Sequence, residues 1–488
     1  MQSKIAHAAE RKAFGAVLDK IIDTASSDDR DQNIGKLVDM ASKLLKDTAP
    51  GAARGLKAGL YPGSKWEQFL FDVIDNTDRT VLKTAILNGA YESAFRGLRT
   101  TTQNAEKYQC NVPWIILFDP TSACNKHCNG CWAAEYGNKY NLSLEDMDKL
   151  VTEGSELGCH LYMLTGGEPL VRKHDIIKLA EKHQDCIFNI FTNASLIDDD
   201  FCDDVRRVAN IVFSISVEGF EESNDGRRGD GSFNEAMAAM DKLRAHKLLF
   251  GTSTAYTKLN YKDVTSDEYY DLLISKGCRF AWYFHLMPVG KGAAPDLMCT
   301  PEQREYMFHR IREVRGITGG KQIFAMDFQN DGEYVGGCIA GGRVYCHINA
   351  RGDVEPCVFI HYSNANIHDK SLIECFQQPI FQAYRKHWPW TDNLLEPCPM
   401  LENPEILPQI VHEADAPNTD YAAPESVEEL CDKTTPYAKA WKPVADQLWL
   451  DEHPTGKKIY ADEMSQMDVN VKAKKLAEDD AEQDAVTD

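Results

Sequence analysis

The chain has 488 residues and carries 53 Lys and Arg against 75 Asp and Glu, a formal net charge of −22. That length exceeds one ordinary compact core, and the acidic balance has the wrong sign for a protein that must neutralise phosphates, so a nucleic-acid binder is excluded. Fifteen cysteines are too dilute here for a disulfide scaffold, and MQSKIAHAAERKAFGAVLDKI lacks the apolar run of a signal peptide, so a cytoplasmic protein with reduced thiols is expected.

Residues 1–105 read as a helical N-terminal region, because apolar positions recur at helical spacing from Ile5 to Ile22, Ile34 to Leu45 and Trp66 to Phe95. No run approaches the ~20 apolar residues needed to cross a bilayer. These amphipathic helices suit packing against the rest of the protein or peripheral contact with a membrane surface. From 106 to 300 short apolar runs alternate with amphipathic stretches: Trp114 to Phe118, His160 to Leu164, Cys186 to Phe191, Ile211 to Ser216, Phe250 to Tyr256 and Phe280 to Leu286. Between the first two, Ser143 and Asp146 can start a helix and Gly158 can end it. Six such β-α units predict a parallel sheet, either doubly wound or a six-strand barrel. Residues 301–460 open with a helix from Pro301 to Val314 and continue as an α+β, cysteine-bearing extension. The acidic tail 461–488, ending AEDDAEQDAVTD, has the composition of a disordered segment.

Directly after the first predicted strand, ACNKHCNGCW places Cys124, Cys128 and Cys131 in a CxxxCxxC loop. A four-iron cubane cluster normally takes four cysteines, so three local ligands leave one iron with an open position, which is what chemistry on a bound molecule requires. A structural zinc site or three unrelated buried thiols would use the same residues. The second strand ends LTGGEP, where Gly166 and Gly167 allow close approach to the backbone and Glu168 offers a carboxylate to a cationic amino group.

This pair of motifs, one β-α unit apart, resembles the radical S-adenosylmethionine (radical SAM) superfamily over about residues 113–290. The resemblance decides for a partial (β/α)6 TIM-like barrel. It implies that Cys124, Cys128 and Cys131 hold a [4Fe-4S] cluster, and that S-adenosylmethionine lies against Gly166, Gly167, Glu168 and Pro169. Further strand ends continue the match: Thr192 and Asn193 in FTNAS, Ser216 in SISVEG, and Arg227 and Arg228 in the next loop, with Arg228 the better candidate for the cofactor carboxylate. Pro288 and Gly290 in MPVGKGAA match an adenine-packing segment. Thr192 could equally cap the next helix, and the two arginines could be a solvated pair. One departure is Gly130, where many members place an aromatic residue before the third cysteine; here Trp132 follows it.

In GGCIAGGRVYCHINARGDVEPC, Cys338, Gly352 and Cys357 have a spacing similar to the opening of a SPASM or twitch extension, and Val344 to Phe359 reads as a hairpin turning at Gly352. That similarity implies one auxiliary [4Fe-4S] cluster on Cys338 and Cys357, with Cys346 and Cys398 completing it and Cys431 held open as a late ligand. A zinc knuckle is the alternative. Together these features imply an enzyme that reductively cleaves S-adenosylmethionine to a 5′-deoxyadenosyl radical, fed by a donor such as flavodoxin or ferredoxin. Its substrate is unidentified, with peptide or protein modification and carbon–carbon coupling of lipid chains as the two classes. The competing readings are an iron–sulfur electron-transfer protein, which would need four cysteines per cluster and no TGGEP strand end, and a zinc-binding interaction module.

Overall fold

The computed structural model describes residues 4–45, 50–133, 139–289, 293–421 and 424–453. The expected acidic tail and Gly290 lie outside these described residues.

Each apolar run between Trp114 and Leu286 contains a strand: β1 (Ile115–Phe118), β2 (Leu161–Leu164), β3 (Ile187–Thr192), β4 (Ile211–Ser216), β5 (Phe250–Tyr256) and β6 (Phe280–His285). They pair in sequence order, all parallel, with helices between them. Local chemistry sets the boundaries. Helix Leu144–Leu157 begins at a reciprocal capping box between Ser143 and Asp146 and ends at Gly158, whose φ of 106° lets its N–H reach back to Gly154 and Ser155 carbonyls.

Three strands come from the chain beyond residue 300. β7 (Phe324–Asp327) pairs parallel with β6, β8 (Tyr345–Ile348) pairs parallel with β1, and β9 (Val354–Glu355) returns antiparallel along β8. The order is β7-β6-β5-β4-β3-β2-β1-β8-β9, and its two ends do not pair with each other. The result is a partial barrel whose sheet continues into the C-terminal extension on both flanks.

Alternation along the strands sorts side chains onto two faces. Tyr162, Leu164, Phe188, Ile190, Phe213 and Ile215 are fully buried beneath the helices. Their neighbours Leu117, Met163, Phe191, Ser216, Trp282, Phe284 and Met326 face the concave side and line a cavity of about 1060 Å³.

Helices Lys4–Ala25, Arg30–Leu45, Pro50–Gly59, Lys65–Asn76, Arg79–Ile86 and Leu98–Tyr108, with a π-helical stretch Leu87–Gly97, precede β1, and the part from Lys65 on reaches the N-terminal ends of the strands. Asn88 Nδ2 donates to the carbonyls of Gln184 and Cys186 just before β3, and Arg96 reaches His160 before β2 at 2.8 Å. The Asp78 N–H bonds the Lys247 carbonyl before β5, and Asp72 pairs with Arg279 before β6. Glu92, fully buried, is held by His7, Arg11 and Arg96. Among the described residues no helix is long and apolar enough to cross a membrane.

Candidate functional site

The C-terminal ends of β1 to β4 converge on one mouth of the cavity, the end at which barrels of this type place their chemistry. Cys124, Cys128 and Cys131 lie on the loop after β1 and all line that mouth. Cys124 is an exposed residue, yet its thiol turns into the cavity wall. Lost hydration, then the nearby Glu168, Cys128 and Cys131, raise it to about 11. The Cys131 thiol is raised by the same loss of hydration, with Cys128 adding to it.

The end of β2 and the helix Glu221–Arg228 after β4 hold this loop. The Gly167 N–H donates to the Thr121 carbonyl at 3.0 Å and the Glu168 N–H to the Ala123 carbonyl at 2.7 Å. On the other side the Asn129 N–H bonds the Arg227 carbonyl at 2.8 Å, and the Asn129 side chain bonds the Gly226 carbonyl at 3.0 Å. A Cβ on Gly167 would stand 2.1 Å from the Ala123 carbonyl oxygen, and one on Gly166, already at φ 100°, 2.5 Å from that of Thr121. The expected close approach to these glycines is therefore made by the cysteine-bearing backbone itself.

Glu168 is 1% exposed. Its Oε1 accepts from the Leu170 N–H at 3.0 Å and the Thr192 hydroxyl at 2.6 Å, while among the described residues Oε2 accepts only from the Asn193 N–H at 2.8 Å. One lone pair of Oε2 is left for a further donor. Burial raises the Glu168 pKa, against these three hydrogen bonds and the charge of Arg228. Thr192 Oγ1 also accepts from the Ala194 N–H, so it both orients Glu168 and caps the local turn. Asn193 bonds Asn125 in the cysteine loop at 2.9 Å. Ser216 lines the cavity at the end of β4. Pro169 stands back from it, starting the short 3-10 helix Pro169–Arg172 that Glu168 caps. Arg227 and Arg228 are not a solvated pair: both bind Oε1 of the fully buried Glu218, at 2.5 and 2.6 Å, and both line the cavity.

Cys338, Cys357 and Cys398 border the same cavity. β8 and β9 form the expected hairpin, with Gly352 at φ 86° in its turn. Burial is the main cause raising the three thiols, and Cys398 is further raised by Cys338 and Cys357 beside it. Cys346 does not join them. Strand alternation turns it to the opposite face from Tyr345 and His347, where its neighbours are Cys159 and Cys375. Cys431 is buried in helix Val427–Asp432.

A group of residues with no motif lies between the two cysteine sites. His347 contacts Asp119 at 3.2 Å and Glu355 at 2.7 Å, and Glu355 also binds His361 at 3.1 Å. Burial opposes charge on His347, but Asp119 and then Glu355 outweigh it and raise its pKa to about 10. The β8–β9 pairing sets His347 opposite Glu355. Trp132 packs edge-on against His347 and Phe359, with centroids 6.3 and 6.0 Å away.

Residues 118–267 match the family model of the Radical SAM superfamily. An AdoMet-dependent heme synthase of Methanosarcina barkeri is 23% identical over 303 residues, 57% of this chain and 85% of that protein. Mycofactocin maturase MftC of Mycolicibacterium smegmatis is 27% identical over 272 residues, 54% of this chain and 67% of that protein. Among solved structures, Streptococcus suis SuiB bound to precursor peptide SuiA covers 59% of this chain and 70% of its own, at 17% identity and a TM-score of 0.49. The residues present fit the superfamily's [4Fe-4S] cluster and S-adenosylmethionine: three thiols face one mouth, and a buried carboxylate beside them has room for one more donor. Residues 118–267 thus make up a radical SAM domain, carried on a parallel partial barrel.

Proposed function

We propose that the chain generates a substrate radical at the cavity mouth, with Cys124, Cys128 and Cys131 as the ligands of the [4Fe-4S] cluster that activates S-adenosylmethionine. Together these two groups supply, on one-electron reduction, a 5′-deoxyadenosyl radical that abstracts hydrogen. The observation that carries the reading is that both cysteine groups and the Gly166–Glu168 strand end border one cavity. Glu168 Oε2 accepts the cofactor's ammonium, Asn193 ties that strand end to the cysteine loop, and Ser216 and Arg228 lie on the carboxylate and ribose side. Cys338, Cys357 and Cys398 hold an auxiliary cluster, with Cys431 as its fourth ligand in place of Cys346. An electron donor of the flavodoxin or ferredoxin type, in a reducing compartment such as the cytoplasm, serves both centres.

The walls exclude water from the reacting atoms: Phe191, Trp282, Phe284, Met326 and Phe328 present hydrocarbon and aromatic faces. Such walls suit a substrate with an apolar body. They favour carbon–carbon coupling on lipid chains, whereas the likeness to a maturase supports an apolar side chain of a peptide. The test is anaerobic reconstitution with a reductant and measurement of 5′-deoxyadenosine. Cleavage is expected in the wild type and is lost when Cys124, Cys128 and Cys131 are all replaced by Ala; cleavage at the wild-type rate in that variant would refute the assignment.

A further inference from the structure

Two tyrosines on separate elements adjoin the segments of the second cysteine group. Tyr345, on β8, donates its hydroxyl to Cys357 Sγ at 2.7 Å and accepts the Val358 N–H at 3.2 Å. It is 5% exposed, and neither contact involves solvent. Tyr384, in helix Pro379–His387, is 2% exposed, and its hydroxyl has no hydrogen-bond partner among the described residues.

Tyr384 is pinned where it stands. The segment bearing Cys338 lies directly on it: a Cβ on Gly341, at φ 64°, would be 2.5 Å from Tyr384 Cβ. The Gly341 N–H in turn bonds the Pro356 carbonyl next to Cys357 at 3.0 Å, so one backbone contact joins the two cysteine segments over this ring. Trp390 closes the ring's edge, with centroids 6.0 Å apart. After burial itself, the groups acting on the phenol are the thiols of Cys338, Cys357, Cys398 and Cys431. A buried hydroxyl without a partner bears its full desolvation penalty, and here its surroundings offer sulfur as the acceptor.

We propose that Tyr345 and Tyr384 are hydroxyl donors to the sulfur atoms of the auxiliary centre and that they set its reduction potential. The inference rests on the reading that this cysteine group holds an iron–sulfur cluster. A donor to cluster sulfur stabilises the reduced state, which carries one more negative charge, and so raises the potential. Both residues act through the cluster and are therefore positioning residues. The two hydroxyls reach the centre from separate elements, β8 and helix Pro379–His387, so their effects are separable by mutation.

The test uses full-length protein with Cys124, Cys128 and Cys131 replaced by Ala, so that only the auxiliary cluster remains. Its midpoint potential is measured by redox titration followed by electron paramagnetic resonance. Tyr345→Phe and Tyr384→Phe keep the rings in place; each is expected to lower the midpoint, and the double variant to lower it further, with iron and sulfide content unchanged. A second readout needs no tyrosine variant: in D2O the reduced cluster should show exchangeable-deuteron couplings from two strong hydrogen bonds. A cluster that forms but whose potential neither variant moves, or that shows no such couplings, overturns the inference alone. A parent protein that binds no iron–sulfur cluster overturns it together with the auxiliary-cluster reading on which it rests.

Discussion

A methyl group on Gly167 would collide with the Ala123 carbonyl at 2.1 Å, and the atom it strikes is backbone of the cysteine loop, which cannot rotate away. Gly167→Ala is therefore expected to push that loop off the β2 end and to cost the protein its first cluster while leaving the second. Iron analysis after reconstitution should fall from about eight towards about four per chain, as two and one cubane clusters require, with the circular dichroism spectrum unchanged. Glu168 calls for the opposite kind of change, one of charge at constant shape. Glu168→Gln keeps the contacts to Leu170, Thr192 and Asn193 within reach but removes the negative charge facing the cofactor's ammonium. A charge-assisted hydrogen bond of about 1.5–3 kcal/mol makes the expected loss of S-adenosylmethionine affinity about tenfold or more, read by titrating the cluster's absorption spectrum. The motif around Glu168 was legible because its residues are contiguous. Its bonding was legible only in part: Leu170 is local, but that Thr192 and Asn193 donate to the carboxylate was not, since they arrive from the next strand.

At the level of elements, the N-terminal helices and the β8–β9 hairpin each enclose a buried charge. Glu92 is surrounded by His7, Arg11 and Arg96, each about a quarter exposed. Glu92→Ala leaves Arg11 and Arg96 beside the barrel floor without their counter-charge. A loss of about 3 kcal/mol is expected, the lower end for breaking a buried pair because the partners are partly hydrated, read as a lower urea midpoint. In the hairpin the decisive group is His347, whose pKa is raised to about 10 by Asp119 and Glu355 against burial. A base raised on folding contributes stability that is complete below its unfolded value of about 6.5 and lost as the pH climbs through the folded value. The urea midpoint of the wild type should therefore fall between pH 7 and pH 10, and His347→Gln should remove that part of the slope; equal slopes in the two proteins would show that His347 is neutral when folded. The apolar runs and caps of these elements could be read from periodicity. The charges between them could not, because residues 119, 347 and 355 meet only through the β1–β8 and β8–β9 pairings.

For the whole molecule, the two cysteine groups are expected to be independent in metal binding although they share a cavity. Replacing Cys338 and Cys357 by Ala should leave about four irons per chain and some uncoupled cofactor cleavage, against about eight irons in the wild type; a wild type that saturates at four would make the second group structural. Cys346→Ser should leave the iron count unchanged, since that thiol lies behind the sheet with Cys159 and Cys375. Cys431→Ser, by contrast, should lower it.

What the sequence determined by itself was everything that depends on neighbours along the chain: six β-α units from apolar period and capping residues, the CxxxCxxC loop, the TGGEP strand end, and the hairpin turning at Gly352. Those features arise from local conformational preference and hydrogen bonding, which act over a few residues. The tertiary structure alone decided what depends on pairing distant segments. It continued the sheet through β7 on one flank and β8 on the other, set the N-terminal helices under the strands, turned Cys346 away from Cys338 and Cys357, and laid the Cys338-bearing segment on Tyr384 at Gly341. A strand's register fixes which face each residue occupies, and register is chosen by the partner strand, which no local pattern specifies.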